Sequence, residues 1–194
     1  LGTGQPAARV PVSEREQPIF RQLGLLTAKP VLFLANVDEE AASGGNEYSL
    51  RVEALAREQG TQALLCATTI ESEVTQLSDE AERSAFLRDL GLEASGLDRV
   101  IRAAYELLGL ITFFTTGPKE SRAWTIHRGA TAQEAAGEIH TDFARGFIRA
   151  ETVSQADFIG LGGEQAAKEA GRLRSEGKDY VVKDGDVLHI LFNV

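Results

Sequence analysis

Cysteine is almost absent from this 194-residue chain: Cys66 stands alone. One thiol forms no internal disulfide, which excludes a small secreted fold held by staples and fits a reducing compartment. Methionine is missing altogether, even at position 1, and the expectation is that the natural N-terminus lies upstream. Long hydrophobic runs are missing too. The longest apolar stretches, residues 30–35 and 107–114, fall well short of the roughly 20 residues that span a bilayer. The start Leu1-Gly2-Thr3-Gly4 has neither the basic nor the apolar segment of a signal peptide. Positive charge is in short supply, with 20 Lys and Arg against 29 Asp and Glu, a net charge of −9. An anionic surface repels phosphate backbones and acidic lipids, so DNA and membranes are not expected partners, and RNA would need a locally basic patch.

The charge that is present is uneven. Residues 1–109 carry 10 basic against 17 acidic side chains, whereas residues 110–194 carry 10 against 12. Two small domains, each with its own core, are the better reading of this length. Residues 1–12, rich in Gly, Pro and Ala, read as a linker. A short helix follows, starting either at the Ser13/Glu16 capping-box spacing or at Gln17 with Pro18 in its first turn. Residues 30–35 form a continuous apolar run bounded by Pro30 and Asn36, as in a parallel strand buried on both faces. Asn46 is placed to cap a helix over residues 47–59 that Gly60 ends, and residues 62–67 are a second buried strand. Strand, helix and strand make a crossover unit whose ligand edge lies at the carboxyl ends of the strands, at residues 36–39 and 67–69. Further helices are expected at 70–77, 79–90 and 96–108, capped by Ser78 and Ser95 and stopped by Gly91 and Gly109.

From Leu110 the pattern changes. Aromatic and β-branched residues alternate over 110–115 and 123–127 around the turn Gly117-Pro118-Lys119-Glu120, which is a hairpin signature. Thr131 is placed to cap a helix to about Phe143, a strand covers 147–153, and a second helix covers 164–176. Residues 180–183 and 187–192 flank the turn Asp184-Gly185. Hairpin, helix and returning strands amount to a β-grasp, ubiquitin-like plan.

The segment richest in chemistry is Asn36-Val37-Asp38-Glu39. P-loop GTPases carry Asn-Lys-x-Asp after a buried strand: the Asn holds the base edge, the Lys stem covers the ring, and the Asp accepts hydrogen bonds from guanine. Asn36 keeps an amide able to pair with a purine. Val37 offers only apolar contact, and Glu39 is one methylene too long for the usual bond to guanine, so the loop can accept adenine. The competing reading makes Asn36 an ordinary strand-end residue and Asp38-Glu39-Glu40 a solvated acidic run.

The surrounding residues add to the first reading. Cys66-Ala67-Thr68-Thr69 occupies the place of the GTPase turn whose backbone faces the base. Together with Ala123-Trp124-Thr125-Ile126, Ile139-His140-Thr141-Asp142-Phe143, Gly146-Phe147-Ile148-Arg149-Ala150-Glu151 and Asp184-Gly185-Asp186-Val187, these loops resemble the YchF-type, Obg-related ATPases over nearly all of residues 23–194. The resemblance implies an α/β fold. Residues 1–24 would be the returning arm of an inserted helical hairpin, 25–109 the second half of a nucleotide-binding domain with a parallel sheet, and 110–194 a β-grasp TGS domain. It implies a cytoplasmic, monomeric, ribosome-associated nucleotidase that prefers ATP to GTP. Asn36, Val37 and Glu39 fall on the base-recognition motif, and Ala67 and Thr68 on the turn beside the base.

The sequence departs from that pattern in one respect. It has no Gly-x-x-x-x-Gly-Lys-Ser/Thr and no Asp-x-x-Gly in a metal-binding context, so the phosphate cradle and the Mg²⁺ ligands are not in this chain, and hydrolysis by it alone is not expected. The alternative function is a stand-alone TGS module that binds ribosomes or RNA without nucleotide chemistry. Other candidates are weaker. Leu161-Gly162-Gly163 before a helix lacks the Lys-Ser/Thr ending of a phosphate loop. His127, His140 and His189 are widely spaced and read as structural, with no metal ligands expected. Glu71 and Glu73 read as solvated. Lys168 with Arg172, and Arg174 with Lys178, would line one helix as a basic strip, either an RNA contact or an ordinary charged face.

Overall fold

Asn46 and Gly60 delimit a helix by purely local means, and the fold of the first part of the chain grows around it. In the computed structural model, which describes residues 2, 4–117 and 119–193, the chain divides into two compact units, Leu1–Leu107 and Leu108–Val194. Leu1 and Thr3 of the N-terminal stretch, Pro118 of the hairpin turn and the final Val194 lie outside the described residues.

The first unit begins with α1 (Gln17–Gln22), which has Pro18 in its first turn. The Ser13/Glu16 contact also forms, with the Ser13 hydroxyl donating to the Glu16 carboxylate at 2.5 Å, but it sits just ahead of the helix. Strand β1 (Phe33–Asn36) is followed by α2 (Glu47–Gln59) and β2 (Ala63–Cys66). The side chain of Asn46 accepts from the Tyr48 and Ser49 amides, Ser49 bonds back to the Asn46 amide, and Gly60 ends α2 at φ +70°. β1 and β2 pair in parallel, Asn36 opposite Cys66. Burial of β1 on both faces is not observed: Leu34 is half exposed, because among the described residues its sheet has only two strands and one face has no layer over it.

Helices α3 (Thr68–Gln76), α4 (Glu80–Asp89) and α5 (Gly96–Leu107) complete this unit. Asp79 rather than Ser78 caps α4, accepting from the Ala81 amide at 3.0 Å, while Ser95 accepts from the Asp98 amide at 3.0 Å at the start of α5, as expected. Ile70 and Val74 from α3 and Leu87 from α4 pack with Val37, Ala67 and Leu92 as the core.

The second unit holds β3 (Leu110–Thr116), β4 (Ser121–His127), α6 (Ala132–Ile139), α7 (Thr141–Arg145), β5 (Phe147–Ser154), α8 (Gln155–Leu161), α9 (Glu164–Glu169), β6 (Arg174–Glu176) and β7 (Asp186–Phe192). The sheet order is β4-β3-β7-β5-β6. β3 runs parallel to β7, and the other pairs are antiparallel. Phe113, Ile111, Ile126 and Leu188 meet Ala132 and Ala135 of α6 in the core. Thr131 and Glu134 form a reciprocal cap at the start of α6, as the sequence predicts.

Four expectations fail in this unit. The helix from Thr131 breaks at His140, whose extended backbone and Nδ1, which accepts from the Asp142 amide, start α7. Helix α8 arises where none was expected, capped by Ser154. The helix expected over 164–176 stops early because Gly171, at φ +68°, turns the chain. Residues 174–176 instead form a strand against β5. Arg174 and Lys178 therefore share no helix face, and the basic strip does not exist. Residues 180–183 form no strand; Val181 makes one isolated bridge to Thr131. Gly162 and Gly163 separate α8 from α9 at positive φ.

Candidate functional site

The parallel register of β1 and β2 puts their carboxyl ends side by side, so the two loops predicted to meet a ligand open on one edge. The Val37 amide donates to the Cys66 carbonyl at 2.9 Å and prolongs the ladder by a residue. Strand alternation then turns Asn36 outward and Val37 inward. The exposed Asn36 side chain accepts from the Thr68 amide through Oδ1 at 3.2 Å, tying one loop to the other. This leaves its two N–H donors without an acceptor among the described residues.

Around that amide lies an open cleft of about 470 Å³ lined by Asn36, Val37, Asp38, Glu39, Glu40, Thr68 and Thr69. Glu39 heads a 3₁₀ turn, Glu39–Ala41, and is exposed. Opposite it, Thr68 and Thr69 begin α3, whose first-turn amides have no acceptor within the helix. The cleft thus offers amide donors on one wall and three carboxylates on the other. Such a wall accepts N–H groups and repels phosphate, which suits the edge of a heteroaromatic base and not its phosphate tail.

Of the five residues expected at the site, the structure brings Asn36, Val37, Glu39 and Thr68 together at the cleft, Val37 with its side chain turned inward. Val37 and Ala67 are only 8% and 3% exposed and pack in the core with Ala41 and Ile70. The apolar cover expected from Val37 is therefore corrected: its side chain supports the loop from below, and Ala67 does not line the cleft. Asp38 and Thr69 lie within the ligand edge expected at 36–39 and 67–69, whereas Glu40 was not anticipated as a lining residue. Its only signal was adjacency to the motif.

Behind the cleft, Glu71 is not the solvated acid expected. From the second turn of α3 its carboxylate accepts from the Gly96 and Leu97 amides at 2.6 and 3.1 Å and caps α5. Gly96 has no room for a side chain, since a Cβ there would lie 2.7 Å from Glu71 Oε1 and 2.9 Å from Cys66 Sγ. Burial, followed by the Glu71 charge, pushes the Cys66 thiol up, so it stays protonated and inert. Arg99 of α5 donates to the Leu65 carbonyl at 3.0 Å and secures β2.

In the second unit, Tyr180 donates to the Asp186 carboxylate at 2.7 Å and accepts from Arg174 at 3.0 Å. This network absorbs the arginine expected in the basic strip. His189, expected to be structural, lies with Nδ1 3.5 Å from Glu164 Oε1. Among the described residues no helix is long and apolar enough to cross a membrane.

The chain is similar to known proteins over most of its length. The family model YchF-GTPase_C, described as "Protein of unknown function (DUF933)", matches residues 110–193. The chain is 52% identical over 183 residues to the Ribosome-binding ATPase YchF of Escherichia coli O157:H7, covering 94% of this chain and 50% of that protein. To its namesake from Bacillus subtilis (strain 168) it is 50% identical over 192 residues, covering 98% and 52%. Among solved structures, the Schizosaccharomyces pombe YchF GTPase superposes with a TM-score of 0.83 at 34% identity, covering 98% of this chain and 50% of that one. A GTP binding protein from Pyrococcus horikoshii OT3 shares the fold at a TM-score of 0.60 and 18% identity, covering 94% and 51%. The chain spans about half the length of the curated relatives it matches. By sequence and by fold, it belongs to the YchF family and corresponds to that family's C-terminal part.

Proposed function

We propose that residues 25–109 supply the base-reading edge of a purine-nucleotide site in a translation-associated, ribosome-binding ATPase. Residues 1–24 are then the returning arm of an inserted helical hairpin, and residues 110–194 a TGS domain of β-grasp form. The observation that carries the reading is the bond from the Thr68 amide to Asn36 Oδ1. It fixes the Asn36 amide with its N–H donors free, and those donors suit N7, an acceptor that adenine and guanine share. Discrimination between the two bases falls to Glu39, whose longer side chain does not require guanine, so ATP is preferred and GTP binds more weakly.

The cytoplasmic ribosome-binding role is supported by the names of the relatives. The β-grasp assignment is supported by the sheet order, in which a hairpin's first strand runs parallel to the last strand of the chain. The residues present fit a base and not a triphosphate: the cleft is acidic, and the chain contains no Gly-x-x-x-x-Gly-Lys-Ser/Thr segment. A nucleoside triphosphate and its Mg²⁺ would be held at their phosphates by residues outside this chain, and there the bound metal would supply charge neutralisation. This chain's own residues orient the base and do no hydrolytic chemistry.

The deciding experiment uses the longer protein and measures ATP and GTP affinities for wild type and Glu39→Asp. The shorter acid restores reach to guanine, so the ATP-to-GTP preference falls at least tenfold, the equivalent of about 1.4 kcal/mol. An unchanged ratio contradicts the base-reading role of Glu39. Co-sedimentation of this chain with ribosomes separates the second reading, a TGS module acting without nucleotide: pelleting of the chain with no purine affinity at the cleft favours it.

A further inference from the structure

We infer that Glu151, Glu164 and His189 form a binding site for a divalent transition-metal ion, Zn²⁺ foremost, on the second unit. The site is separate from the purine cleft. Each of the three offers one ligand atom, and these atoms lie within 4.8 Å of one another. They come from three different elements. Glu151 and His189 stand directly opposite each other on the antiparallel strands β5 and β7, and Glu164 opens α9. The sheet register brings Glu151 and His189 together, and the start of α9 adds Glu164.

A second observation is the unsatisfied state of the two acids. The Glu151 side chain is only 24% exposed and that of Glu164 37%, yet neither carboxylate accepts a hydrogen bond among the described residues. Val153, Leu173 and Val187 line the same recess and remove water from one side. Two carboxylates this close repel, and each is offset by one long ion pair. Arg149 lies 3.8 Å from Glu151, and His189 lies 3.5 Å from Glu164 without a hydrogen bond. A cation among the three ligand atoms turns that repulsion into attraction.

The donor set selects the ion. One imidazole and two carboxylates suit Zn²⁺ and its transition-metal neighbours, whereas Mg²⁺ and Ca²⁺ favour all-oxygen shells. Three protein ligands leave at least one position for solvent. The His189 side chain is 55% exposed, so an ion reaches the recess from solvent.

The test titrates the whole chain with ZnCl₂ by calorimetry, and follows the three histidine rings by NMR. One equivalent of Zn²⁺ binds, the His189 ring resonances move with it, and excess Mg²⁺ does not compete. His189→Gln and Glu164→Gln each weaken binding at least tenfold, and His140→Gln leaves it intact. The His189 side chain is exposed and that of Glu164 partly so, and circular dichroism verifies that the variants fold. Saturable binding that survives both substitutions, ring shifts at His127 or His140 alone, or no saturable binding at all overturns the assignment.

Discussion

Glu71 provides the sharpest test of how the cleft is held up from behind. Its carboxylate is the acceptor for two backbone donors at the start of α5, 2.6 and 3.1 Å away. Hydrogen bonds to charged groups contribute about 1.5–3 kcal/mol, and loss of a helix cap typically costs about 1 kcal/mol. Ser95 still serves the Asp98 amide in the variant, and water reaches the exposed Leu97 amide, so the two losses do not add in full. Glu71→Ala therefore destabilises by about 2 kcal/mol, and Glu71→Gln, which keeps one acceptor oxygen, by about 1 kcal/mol. Urea unfolding followed by far-ultraviolet circular dichroism measures both. Hydrogen exchange at residues 96–98 localises the effect, since those amides lose protection. A change under about 0.5 kcal/mol in Glu71→Ala, the level of an ordinary surface substitution, together with unaltered exchange at 96–98, refutes the cap.

The other predictions follow the same logic. Gly96→Ala, which in an open helix stabilises by about 1 kcal/mol, here destabilises, because the new Cβ meets Glu71 and Cys66; thermal melting gives the sign. Cys66 reacts slowly with alkylating reagents in the folded chain and quickly in urea, since burial and then Glu71 keep its thiol protonated. Ionisation of Tyr180 is pushed up to about 12 by burial and by its hydrogen bond to Asp186. Its contribution to stability is complete below the unfolded tyrosine value near ~10 and fades as pH climbs from there through about 12. Tyrosinate absorbance shows a late step that Tyr180→Phe removes. Asp186→Ala leaves the half-buried Tyr180 hydroxyl and the Lys183 amide without their acceptor and costs about 3 kcal/mol in a urea melt.

What could be read from the sequence was what neighbouring residues decide among themselves. Helix α2 follows its expected bounds because Asn46, Ser49 and Gly60 cap it without help from elsewhere. The β3–β4 hairpin likewise follows from alternation, with Phe113 opposite Trp124. Failures occur where a distant partner intervenes. Residues 174–176 look helical, but Gly171 turns the chain and β5 captures them as a strand. Leu34 reads as buried because continuous apolar runs usually lie between two layers, and here one face lacks its layer. Helix α8 did leave a trace, the Ser154 and Asp157 pair at capping spacing.

The candidate site shows the same division. Asn36 and Glu39 are legible because they sit in one tetrapeptide. The inward turn of Val37 is set by strand alternation against α3. The cluster of Glu151, Glu164 and His189 was invisible, since only the β5–β7 register and the placement of α9 join residues so far apart.

The central claim is that Asn36, anchored on Thr68, presents its amide to a purine. The most direct measurement is a ¹H–¹⁵N NMR titration of this chain with ATP. Base contacts without a phosphate cradle give weak affinity, on the order of millimolar. The Asn36 side-chain resonances and the amides of Thr68 and Thr69 are expected to shift in wild type, and the Thr68 and Thr69 amides to stay fixed on titration of Asn36→Ala. Shifts that persist in Asn36→Ala, or that appear only elsewhere in the chain, contradict it.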